Sequence, residues 1–228
     1  MKTVFNIVLG LCAIALIYIC YSSIMGPINF EKAKDHREKA VIARLMDIRK
    51  AQLEYRNLHK GQYTASFDTL IDFVKTQKIP FVKKEGVLSD KQLEDGMTER
   101  KAMALINKAK KSGNWKEVEA AGLMNFKRDT MWVAVMDTIY PAGFNADSLR
   151  YVPFTNGAQF EMYTKNDTTK SGAPIFLFQA NTPYDVYLNG LDKQEIYNLK
   201  DLQTKLGKYA GLMVGSIETP NNNAGNWE

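Results

Sequence analysis

Apolar residues fill the start of the chain without interruption, recur at helical spacing after it, and break into short runs towards the far end. From Val4 to Tyr21 there are 18 residues, of which only Asn6 is strongly polar and none is charged. A helix of that length covers ~27 Å, close to the ~30 Å hydrocarbon core of a bilayer. Extension through Ile24 and Met25 completes a span. Gly26 and Pro27 follow. Pro27 lacks an amide donor and disfavours helix at the residue before it, so a break or kink is expected there.

Residues 29–60 predict a long amphipathic helix. Val41, Leu45, Ile48 and Tyr55 follow a 4-3-7 spacing, with Ile42, Met46 and Leu53 beside them. That broad stripe needs a surface to cover it, either the chain's own sheet or a partner helix. Glu31–Lys39 is almost wholly charged and reads as a solvated stalk. Gly61 supplies a stop near His59. Short helices are then expected over Phe67–Lys75 with Ser66 as cap, from Ser89 through Glu94, over Glu99–Lys111 behind Thr98, and over Trp115–Ala121. Ile79–Val82 reads as extended around Pro80.

After Gly122 the pattern changes to short aromatic or β-branched runs: Met131–Met136, Ser148–Val152, Gln159–Thr164, Ile175–Ala180 and Leu212–Ile217. Turn-rich pieces separate them, Asn156-Gly157 being the strongest hairpin signal. Asp192–Leu206 reads as a helix before the last strand, and Thr219–Glu228 as a loose tail. The expected fold class is α+β. A transmembrane anchor (residues 1–28) continues into a juxtamembrane amphipathic helix (29–60). A mainly helical part (61–125) and a β-rich part with a C-terminal antiparallel sheet (126–228) form one extracytoplasmic domain.

A cleaved signal peptide also has a basic start, here Lys2, and an apolar run, but one of ~7–15 residues. Cys20-Tyr21-Ser22 is a tolerable cleavage triplet, yet the run is longer than that template, so an uncleaved anchor is the expectation. A lipoprotein signal needs a small residue before its cysteine, and Leu11 and Ile19 stand before Cys12 and Cys20. Lys2 and the terminal amine favour a cytoplasmic N-terminus; Lys32, Lys34, Arg37 and Lys39 argue the other way. We expect a single pass of the inner membrane, N-terminus inside and the bulk of the chain in the periplasm.

The net charge of +5 hides an asymmetry. Residues 1–60 carry ten Lys/Arg against five Asp/Glu, and residues 129–228 carry seven against eleven. A basic segment beside a bilayer is drawn to anionic lipid by ~1 kcal/mol per cation near the surface. The cations are interleaved with anions and no recognition motif accompanies them, so no nucleic-acid partner is expected.

Candidate chemistry changes the picture little. The chain holds no phosphate-binding glycine loop, nucleophile elbow, Cys-x-x-Cys or His-Glu-x-x-His. Both histidines, His36 and His59, fall on the juxtamembrane helix, and residues 60–228 contain neither His nor Cys. We expect no enzyme, no cofactor and no metal. The aromatic residues Phe176, Phe178, Tyr184 and Tyr187 could line a sugar or peptide groove, or form the apolar face of a sheet.

The layout resembles type IV pilins and the pseudopilins of type II secretion, carried by Arg44–Leu70 with Tyr55, Gly61, Tyr63 and Leu70 at comparable places. The resemblance implies a membrane helix running into an amphipathic helix that packs on a small antiparallel sheet. Tyr55 would close the helix against that sheet, Gly61 would reverse the chain, and Tyr63 would pack back. The chain departs from the family in lacking a Gly-Phe-Thr-Leu-x-Glu processing site and the glutamate that follows it. Thr64 stands where pseudopilins commonly have proline.

Five segments resemble the Asp-Ser/Thr sites at which Bacteroidota attach O-glycans, with acceptors Thr69, Thr130, Thr138, Ser148 and Thr168. Thirteen aspartates would give about one such match by chance. The same pairs also serve as caps and turns. Used as acceptors, they would lie in exposed loops outside the cytoplasm. The functional expectation is a non-enzymatic, membrane-anchored subunit of a cell-envelope assembly, with the bilayer and a membrane-protein complex or homo-oligomer as partners. The alternative is a membrane-tethered module that binds a glycan or peptide.

Overall fold

A computed structural model describes residues 2–169 and 171–228. The fold is α+β, with a long N-terminal helix and a C-terminal antiparallel sheet. The first helix, α1, spans Lys2–Leu58 and runs through Pro27 without interruption. Of the break or kink expected there, the break does not occur. A proline removes one backbone hydrogen bond, and the bonds on either side of it hold the helix together.

The chain divides into two compact units, residues 1–75 with 141–228, and residues 76–140. In the first, α1 and α2 (Phe67–Thr76) accompany a three-stranded sheet in the order β3-β4-β5. Strand β3 is Glu161–Thr168, β4 is Pro174–Pro183 and β5 is Gly211–Gly215. Both pairings are antiparallel, from Glu161↔Asn181 to Thr168↔Pro174 and from Gln179↔Gly215 to Pro183↔Gly211. A short helix α7 (Tyr184–Tyr187) and α8 (Lys193–Lys205) connect β4 to β5. Asp192 caps α8 by accepting from the amides of Gln194 and Glu195. The core gathers Val41, Leu45 and Ile48 of α1, Leu70 and Val74 of α2, Phe178 and Ala180 of β4, and Val214 of β5, all fully buried.

The second unit pairs β1 (Lys78–Glu85) with β2 (Lys127–Ala134) as an antiparallel ribbon. Between them lie α3 (Asp90–Glu94), α4 (Glu99–Ser112) and α5 (Lys116–Ala120), and α6 (Val135–Ile139) follows β2. Ser89 and Gln92 close a reciprocal cap on α3. Thr98 starts α4, and Gly113, at φ 72°, ends it. Ala102, Ile106, Ala109, Val118, Leu123 and Phe126 form this unit's core.

Three expectations about the β-rich part are corrected. The strand expected at Met131–Met136 starts earlier and pairs with β1, so it belongs to a separate sheet. Ser148–Val152 is not a strand but a 3-10 turn, Ala146–Arg150, capped by Asn145, with only Tyr151 bridging to Gln159. Asn156-Gly157 still turns the chain between Tyr151 and Gln159, where Val152 N donates to Ala158 O (2.8 Å) and Phe160 N to Arg150 O (2.9 Å), and the β3–β4 hairpin turns at Gly172. The tail is not loose either: Gly225 bridges to Val214, and the Asn226 amide donates to Met213 O at 2.9 Å.

Candidate functional site

Residues 3–30 contain no charged side chain. The N-terminal part of α1 is long and apolar enough to cross a membrane, and none of its apolar stretch is buried within the protein. Phe5, Leu9, Leu16, Ile17 and Tyr21 are all more than half exposed. Asn6 is exposed among them. The side chain of Val4 lies outside the described residues. Phe30 is buried, at 7% exposure, and Glu31 begins the charged sequence. The boundary drawn by charge and the boundary drawn by burial thus meet three residues beyond Pro27.

The segment expected to be a solvated stalk is bound along one side: Ala33, Lys34, Arg37 and Glu38 are half-buried, while Glu31, Lys32, Asp35, His36 and Lys39 stay exposed. Arg37 donates to the carbonyls of Tyr187 (2.9 Å) and Asn189 (2.8 Å), which caps the end of α7. The Tyr187 hydroxyl donates to Glu38 at 3.0 Å. Burial raises the Glu38 carboxyl above its ordinary range, against the opposing effects of Tyr187 and Lys34. Burial, with Glu38 beside it, also pushes the Tyr187 phenol far up. The Lys34 ammonium is raised: burial acts to lower it, but the hydrogen bond to Glu31 and the nearby carboxylates outweigh burial.

Further along, Val41, Leu45 and Ile48 are fully buried, and α1 packs on β4, β5 and the 3-10 turn of its own unit. Arg44 donates to Ser148 O in that turn. Tyr55 is half-buried, and the rings it meets belong to α1 and α2. Its ring stacks on His59 at 3.8 Å and meets Phe73 of α2 edge-on at 5.1 Å. Gly61 does reverse the chain, at φ 89°. Tyr63 packs back onto Phe178 of β4 at 5.0 Å and accepts from Asn223 of the tail at 2.9 Å.

Sequence reasoning missed Gln52, which sits four residues beyond Ile48 on the same stripe and is fully buried. Its amide donates to Thr64 O (2.6 Å) and accepts from Thr64 N (3.2 Å), pinning the chain after Gly61 to α1. A polar residue at a stripe position was the available signal.

Of the glycan-acceptor candidates, Thr69, Thr130, Thr138 and Thr168 are exposed, while Ser148 is half-buried. None lies in the exposed loop expected for it: they occupy α2, β2, α6, the 3-10 turn and the last residue of β3. Two hydroxyls are already engaged. Thr138 Oγ1 donates to Ala134 O at 3.1 Å, and Ser148 Oγ donates to Asn145 O.

Of the two readings of the aromatic cluster, groove or apolar packing face, most of it follows the second: Phe178 and Tyr187 are fully buried and Tyr184 is nearly so. A groove of about 920 Å³ opens instead between the base of α1, α8, β5 and the tail. Lys34, Glu38, Gln203, Tyr209 and Trp227 line it. Burial pushes the Tyr209 phenol up to about 12. The β1–β2 ribbon also exposes large apolar side chains on both faces, with Phe81 opposite Met131 on one and Val82 and Trp132 on the other.

Among the described residues no group of three His, Cys, Asp or Glu side chains is gathered to hold a metal ion. Comparison with protein-family models, with curated proteins and with solved structures gives no significant match.

Proposed function

We propose that this protein is a single-pass, membrane-anchored subunit of a cell-envelope assembly, with its N-terminus cytoplasmic and both units in the periplasm. One observation carries the reading: a single helix has a charge-free apolar stretch before Phe30, none of it buried, and a C-terminal half packed into a folded unit. In water such an exposed apolar stretch has nothing to cover it, whereas in a bilayer lipid does. Pro27 is tolerated within a membrane helix for the same reason that spans generally carry more proline than soluble helices. Because Phe30 is already buried, only a residue or two separate the span from the folded unit, which sits at the bilayer surface. The exposed apolar ribbon offers a surface for association. Pilin-like assembly remains part of this proposal at the level of architecture: an anchor helix continuing into a sheet-packed helix.

The test is photo-cross-linking in native membranes from probes placed at Leu9, Leu16 and Trp132. Discrete protein adducts, or dimers of the chain itself, are expected. A chain that yields only lipid adducts from the helix and none from Trp132 is not an assembly subunit.

The groove near Tyr209 and Trp227 favours a second reading, a tethered binding module. Aromatic rings beside Gln203, Lys34 and Glu38 suit a glycan or an extended peptide. Saturable binding of a cell-wall glycan or peptide that is lost in Trp227→Ala, with no protein adduct, decides for that reading.

A further inference from the structure

The second unit holds a cavity of about 490 Å³ between α4, α5 and the start of β2. That volume lies within the ~300–1,000 Å³ typical of small-molecule sites. Its lining is mainly apolar: Met103, Ile106, Trp115, Leu123, Met124 and Phe126. Trp115 and Met124 remain 40% and 54% exposed, so apolar surface stands uncovered at the opening.

One polar group in this wall is unusual. The Arg128 side chain is only 8% exposed, and its guanidinium lies 3.9 Å from the Phe126 ring centre. Its Nη1 donates to the carbonyls of Glu85 (2.9 Å), Gly86 (3.1 Å) and Lys127 (2.8 Å), and Nη2 donates to Glu99 at 3.0 Å. The Nε proton is buried and has no acceptor among the described residues. The two Nη1 protons are shared among the three carbonyls and Nη2 is held by Glu99, so the guanidinium is a fixed, positively charged part of the wall. The charge around it is unequal. Lys110 and Lys127 also line the cavity, both exposed and in no ion pair among the described residues. Asp129, the one carboxylate of the lining, stands opposite Lys83 in the β1–β2 ladder.

We propose that this cavity binds a small amphiphilic carboxylate of the fatty-acid class, its tail covering Met103, Ile106, Trp115 and Met124 and its head lying beside Lys110 and Lys127. The cationic side chains fix the place and the sign of the head, and the apolar wall requires a tail. A bare anion leaves the wall uncovered, and a neutral lipid leaves the lysines unused.

The experiment uses the full chain, labelled with 5-fluorotryptophan and reconstituted in lipid nanodiscs. Trp132 and Trp227 act as internal controls for the Trp115 fluorine resonance. Octanoate is titrated, then octanol at the same concentrations, then inorganic phosphate. A saturable shift confined to Trp115 is expected with octanoate, with about tenfold weaker response to octanol and none to phosphate. The double variant Lys110→Glu/Lys127→Glu changes only exposed side chains. It is expected to keep the spectrum of the free protein and to weaken octanoate binding about tenfold. No saturable Trp115 shift, equal responses to octanoate and octanol, a response to phosphate alone, or unchanged binding by the double variant each overturns the proposal.

Discussion

Truncating the same side chain at two places on α1 separates its two environments. Leu45 is fully buried between Val41 and Ile48, whereas Leu16 is 62% exposed. Leu45→Ala removes roughly three methylene equivalents at ~0.8 kcal/mol each and leaves a cavity behind. The sum is about 3–4 kcal/mol, within the range seen for leucine truncation in closed cores. Leu16→Ala touches nothing in the folded unit, so the expected change is below about 0.5 kcal/mol. The assay is amide hydrogen exchange in nanodiscs, read on β4 and β5. If those strands exchange through opening of the first unit, 3 kcal/mol speeds them roughly a hundredfold. Leu45→Ala is expected to show that acceleration and Leu16→Ala to match the wild type. Equal effects from the two variants, or none from Leu45→Ala, would refute the division of the helix.

Gln52→Leu keeps the volume but strips both partners from Thr64; a loss of about 1–3 kcal/mol is expected, with the 59–66 amides losing protection first. Alkaline titration tests the buried phenols. A phenol raised above its unfolded value near 10 stabilises the fold fully below that pH and loses the contribution as pH rises through the folded value. For Tyr209 that window runs from 10 to about 12, so the phenolate absorbance that Tyr209→Phe removes is expected to appear near the upper end of that window. Deleting residues 219–228 removes the Gly225 bridge and the Asn226 bonds to Met213 and Gly211, and is expected to lower the melting temperature of the first unit by several degrees. An unchanged transition would mean that the tail is held only weakly.

Local chemistry was the legible part of the chain. Ser89 and Thr98 announce their helices because a cap needs only its next three residues. The stripe Val41–Leu45–Ile48 is readable because burial imposes the helical period. What failed depends on distant partners. The β1–β2 ribbon joins segments about fifty residues apart, and nothing in Lys127–Ala134 itself names Lys78–Glu85 as its neighbour. The charged run Glu31–Lys39 looks like a solvated stalk until Tyr187, 149 residues beyond Glu38, is placed against it. Pro27 obeys a rule about single bonds, whereas a 57-residue helix is held by many. Arg128 reads as one surface cation among thirty basic residues; only the fold reveals that its side chain is enclosed and its Nε unmatched.

The account rests on the N-terminal half of α1 being solvated by lipid and staying joined to the rest. Alkaline carbonate extraction of native membranes, with the N-terminus of the extracted chain sequenced, tests this directly. A chain that still carries the charge-free segment and remains in the pellet is the predicted result. A chain beginning near Ile24 and released into the supernatant would contradict it.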